Sequence, residues 1–74
     1  MTNPELRDKI LRAVSEARRP PSKALVAFTV KEQIREGISE IDRLTDEGML
    51  IQRQEGIQWR LYLTKKGAAA LEAK

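Results

Sequence analysis

Seventy-four residues, 41% apolar and 34% charged, suit one small globular domain and not a disordered tail or a fibre. Cysteine and histidine are both absent, which excludes disulfides, zinc fingers, thiol nucleophiles and imidazole acid-base chemistry together. The net charge of +3 is a mild bias toward polyanions, divided as +3 over residues 1–23, −3 over 24–48 and +3 over 49–74, so basic ends flank an acidic middle.

Asn3, Pro4 and Glu5 open the first predicted helix, with a side-chain cap, a proline that needs no amide partner, and an early acid facing the dipole. Leu6, Ile10, Leu11 and Val14 repeat at helical spacing and carry it to about residue 17. Arg18-Arg19-Pro20-Pro21 ends it, because neither proline can continue the hydrogen-bond ladder. No run between the first two helices reads as a clear strand. Ser22 is placed to cap a short second helix through KALVAF, whose mostly apolar residues would be buried; a run this short also suits a strand. Thr29-Val30-Lys31-Glu32 has the spacing of a capping box and is expected to open a third helix over residues 30–47. Its apolar stripe is Val30, Ile34, Ile38, Ile41 and Leu44, with Gly37 nearby for close helix packing and Gly48 as the left-handed stop.

Residues 48–67, GMLIQRQEGIQWRLYLTKKG, read as a hairpin. With Glu55-Gly56 as its two loop residues, Gln54 faces Ile57, Gln52 faces Trp59 and Leu50 faces Leu61. Leu50, Trp59, Leu61 and Leu63 then share a core face, Trp59 serving as an anchor, while Met49, Ile51, Arg53, Gln58, Arg60 and Tyr62 share the other. Thr64 is positioned to cap a last short helix anchored by Leu71. Lys65 and Lys66 in its first turn oppose the helix dipole, and a phosphate contact at the base of the hairpin would account for them.

The predicted class is α+β, mostly α, over a single domain of residues 1–74: three helices, a β-hairpin and a short C-terminal helix. This is the order of a winged helix-turn-helix. The stretch IDRLTDEGMLIQRQEGIQWRLYLTKKGAAAL resembles the end of the recognition helix and the wing of bacterial regulators of the multiple-antibiotic-resistance (MarR) and PadR types. The resemblance lies in Ile41 and Leu44 before Gly48, the apolar Met49-Leu50-Ile51, Arg53 ahead of the turn, then Arg60, Tyr62-Leu63-Thr64, Gly67 and Leu71. It covers about 31 residues well and the first forty only by helix order. Two features depart from those regulators: the long dimerising helices are missing, and the third helix is acidic, with Glu32, Glu36 and Asp46 opposite its apolar stripe.

The resemblance implies double-stranded DNA binding, with helix 3 in the major groove and the wing on the backbone or minor groove, in a transcription regulator. The candidate contacts are Arg18, Arg19 and Lys23 in the loop after helix 1; Lys31, Gln33, Arg35, Ser39 and Arg43 on helix 3; and Arg53, Gln58 and Arg60 on the wing. Arg35 is best placed for a guanine. The same charges also suit a salt-bridged helix surface and a hairpin edge guarded against aggregation. The rival reading is a winged-helix module that holds a protein partner through its mixed-charge helix or apolar wing side, or a second copy of itself. No phosphate loop, nucleophile elbow or metal-spaced carboxylate cluster is present, so no enzyme, cofactor or metal is expected. The longest apolar run falls far short of the roughly 20 residues of a membrane span. Without a signal-peptide core in MTNPELRDKI, a cytoplasmic address is expected, on the nucleoid in a bacterium.

Overall fold

The computed structural model describes residues 4–30 and 34–72. Its elements run α1 (Pro4–Glu16), α2 (Lys23–Thr29), α3 (Ile34–Asp46), β1 (Leu50–Glu55), β2 (Gln58–Leu63) and α4 (Lys65–Glu72). The architecture is mostly helical with one antiparallel two-stranded ribbon. The expected Asn3 cap lies outside the described residues. Leu6, Ile10, Leu11 and Val14 of α1 are buried and meet Val26, Val30, Ile41, Leu44, Leu50 and Leu61 in one apolar cluster. The first helix is therefore the central staff, packed by α2, α3, α4 and β2. No helix among the described residues is long and apolar enough to cross a membrane.

Ser22 caps α2 as its sequence position suggested, its Oγ accepting from the Leu25 amide at 3.1 Å. Burial of that helix is not as expected. Only Val26 and Ala27 are buried, while Ala24, Leu25 and Phe28 face outward. The capping-box assignment at Thr29 also fails. Thr29 is the last residue of α2, and its hydroxyl donates backward to the Val26 carbonyl at 2.6 Å. Threonine can bond its own preceding turn as readily as cap a following one. Lys31 and Glu32, the rest of that box, lie outside the described residues.

In α3 the inward face is Gly37, Glu40, Ile41 and Leu44, and Ile34 and Ile38 of the expected stripe are exposed. Gly37 causes the rotation: a Cβ there would stand 2.7 Å from Val30 Cγ2, so the missing side chain admits Val30 into the core. The helix stops as expected. Gly48 is left-handed at φ +83°, with its amide on Thr45 O at 3.1 Å and the Met49 amide on Leu44 O at 2.9 Å. This pair of bonds is the Schellman arrangement.

The hairpin register differs from the expected one by two residues. Leu50 faces Leu63, Gln52 faces Leu61, Arg53 faces Arg60 and Gln54 faces Trp59, around a Gly56-Ile57 loop. A glycine at the first loop position supplies the required positive φ, here +67°, whereas the expected loop would have asked Glu55 to adopt it. A slip of two keeps every side chain on its expected face. It does move Trp59 out along the ribbon: the residue expected to anchor the core is 46% exposed.

Two junctions tie the ribbon down. Ser22 forms an isolated antiparallel bridge with Arg60, and the Leu61 amide donates to Pro21 O at 2.9 Å, while no strand forms between the first two helices, as expected. At the other end Thr64 Oγ1 accepts from the Gly67 amide at 3.1 Å, as expected of the α4 cap, and donates to Gly48 O at 2.7 Å.

Candidate nucleic-acid interface

The eleven sequence candidates fall into four groups. Lys31 and Gln33 lie outside the described residues. Lys23 and Arg43 already have acidic neighbours: Lys23 Nζ donates to Asp42 Oδ1 at 2.6 Å, and Arg43 Nη1 lies 3.8 Å from Glu40 Oε1. The bonds from Lys23 and from Gln52 hold the Asp42 carboxyl below its usual range. Arg35 and Ser39 face solvent on α3, in the company of exposed Glu36, Asp42 and Asp46. The outward surface of that helix is therefore mixed, with acids prevailing.

The fourth group is brought together. Arg60 Nη1 donates to Pro20 O at 2.7 Å, joining the loop after α1 to the ribbon across forty residues of sequence. Exposed Arg18 and Arg19 flank a shallow depression of about 170 Å³ whose far wall is Leu61, Tyr62 and Leu63. On the same ribbon face, Arg53 stands directly opposite Arg60 and its guanidinium carbon lies 5.8 Å from the centre of the Tyr62 ring. Gln58 is exposed two rungs closer to the tip. Glu55 is the acid of this face. Its Oε1 lies 3.8 Å from Arg60 Nε, and its Oε2 accepts from the Tyr62 hydroxyl. That bond to a carboxylate raises the Tyr62 pKa above its usual value.

Reasoning from sequence missed two of these participants, Glu55 and Tyr62. Tyr62 was on the right face, but its bond to Glu55 follows from the register and the short loop, which a face assignment leaves open. Lys66 Nζ donates to Glu47 O at 2.8 Å, at the C-terminal end of α3, where a cation meets the negative end of the dipole. Lys65 is exposed.

On the opposite side of the ribbon a cleft of about 330 Å³ opens between α2, α3 and the hairpin tip, lined by Ala24, Ile38, Ile57 and Trp59 with Ser22 and Lys23 at its end. Phe28 is one turn beyond Ala24 and 64% exposed, and Ile57 is 98% exposed. No periodicity argument marked this surface, because α2 was expected to turn most of its apolar residues inward.

Comparison with protein families, with curated proteins and with solved structures finds no match to the chain.

Proposed function

We propose that this chain is a small winged-helix module that binds double-stranded DNA and performs no chemistry, in the manner of a transcription regulator. The element order supports the reading, as does the bridge at Ser22, which joins the segment between the first two helices to the edge of the ribbon. The observation that carries it is the Arg60 junction. By holding Pro20, that guanidinium ties the loop that carries Arg18 and Arg19 to the ribbon that carries Arg53, so basic segments from distant parts of the chain are joined at one junction. Clustered guanidinium groups on a projecting ribbon suit a row of phosphates. Two dockings are available: one led by α3 through Arg35 and Ser39, the other led by the ribbon. A mixed-sequence duplex titrated by fluorescence anisotropy at low salt tests the reading. Binding is expected, with log affinity falling against log salt by about 0.9 per phosphate neutralised. No binding at any salt concentration would remove it.

A second reading, a module that holds a protein partner or a second copy of itself, is favoured by the cleft beside Trp59. Exposed Phe28, Ile38, Ile57 and Trp59 are poor company for phosphates and good company for an apolar surface. Sedimentation equilibrium with Trp59 emission followed over concentration tests the self-association form. A blue shift that accompanies a rise in mass supports it, and constant mass with unchanged emission removes it.

A further inference from the structure

We infer that the outer face of the hairpin, and not α3, is the phosphate-binding surface, and that Glu55 occupies it as an internal stand-in for a phosphate. The inference rests on the DNA-binding reading above. It starts from the register. Two arginines facing each other across a ladder repel, and cross-strand like charges are ordinarily avoided. This ribbon keeps them, and holds both. Arg60 is fixed by Pro20 O, and Arg53 lies over the Tyr62 ring.

Against Arg60 stands a single carboxylate engaged through both of its oxygens, one near the Arg60 guanidinium and the other receiving the Tyr62 hydroxyl. Two anionic oxygens, one toward a guanidinium and one toward a hydroxyl, are what a backbone phosphodiester presents with its two non-bridging oxygens. Arg18 and Arg19, across the shallow depression from Tyr62, continue the cationic track for a neighbouring phosphate. Among the described residues, the third helix offers no such arrangement. Its outward Arg35 is accompanied by Glu36, Asp42 and Asp46, and the adjacent Lys23 is held by Asp42. A duplex that engages the ribbon would displace Glu55 from Arg60 and Tyr62, and the carboxylate would oppose every phosphate that arrives.

The test is anisotropy titration of a mixed-sequence duplex at two salt concentrations with four variants of the full chain, each first checked for its fold by backbone NMR. Glu55→Gln keeps the size and the acceptor but not the charge, and is expected to tighten binding about fivefold. Arg53→Gln should weaken it about tenfold and reduce the salt slope by about one unit. Arg18→Gln combined with Arg19→Gln should act in the same direction, and Arg35→Gln should leave affinity unchanged. If Arg35→Gln weakens binding and Arg53→Gln does not, docking is led by α3, and the inference falls while the DNA-binding reading stands. If Arg53→Gln weakens binding and Glu55→Gln changes nothing, the stand-in role is overturned. A wild-type chain that ignores duplex DNA at low salt overturns both readings together.

Discussion

The seam between α1 and α3 and the outer face of the hairpin use the same residue types to opposite ends. At the seam, Glu40 is 4% exposed yet charged groups surround it: Arg7 Nε at 3.7 Å and Arg43 Nη1 at 3.8 Å. Arg7 also grips Glu47. Acids and bases alternate there, closing on one another between two helices. On the ribbon, Arg53 opposes Arg60, and one exposed acid of β1 reaches Arg60 and Tyr62 of β2. Charge matched inside the fold has work to do in stability. Like charge facing itself at a surface is what the proposed phosphate contact would use.

The comparison is broken most severely at the seam. Arg7→Met strands the Glu40 carboxylate beside only the more distant Arg43, and should cost about 3 kcal/mol in urea unfolding. Adding Glu40→Leu should recover most of that loss, since a buried pair exchanged for apolar groups is often neutral. A negligible cost for the single change would show that the seam is held by packing alone. Next in size is Gly67→Ala, which tests the hairpin base: a Cβ there would overlap Met49 O and lie 2.8 Å from Leu63 Cδ1. Its expected cost is about 1–3 kcal/mol, read as a lower melting temperature. Glu55→Gln at the exposed ribbon should cost at most about 1 kcal/mol, far less than the change at Arg7. A larger loss would make the ribbon a second structural ion pair and erase the contrast.

The smallest effects separate the two regions by pH. The Arg7 guanidinium, paired with Glu47, holds that carboxyl below its usual range. Its contribution is therefore present above the unfolded pKa and is lost as pH falls through the folded one. On the ribbon the sign reverses. Tyr62 has a raised pKa, so its bond to Glu55 contributes below the ordinary tyrosine value of about 10 and is lost as pH rises beyond it. Urea midpoints across pH should show a weaker acid loss in Glu47→Gln and a weaker alkaline loss in Tyr62→Phe. Curves that coincide with wild type would disprove the assignments.

Much of the fold was legible in the sequence because its signals are local. The prolines after Arg19, the Ser22 cap, the Gly48 stop and the period-two alternation of the ribbon each act within a few residues. Faces survived the misplaced turn because side chains repeat every two residues, and the slip was of two. What was not legible required knowing what stands opposite. The inward turn of Glu40 depends on Arg7 of another helix, the rotation of α3 depends on Val30 meeting Gly37, and Trp59 misses the core because the ladder sets it opposite Gln54, over the cleft beside α2 and α3. The site was half visible for the same reason. Its arginines could be named from composition and parity, but the meeting of Arg60 with Pro20 and of Glu55 with Tyr62 is tertiary.

The three residues that close α3, Glu47 to Met49, receive the whole of the following corner: Lys66 bonds the first carbonyl, Thr64 Oγ1 the second, and the Thr64 amide the third at 3.2 Å. The root of the ribbon is thereby clamped from both sides, with Pro21 gripping its other flank. A spar so rooted cannot pivot on its own. Whatever its tip touches is felt by the whole body, and trimming the last helix would loosen a contact surface several strand residues away.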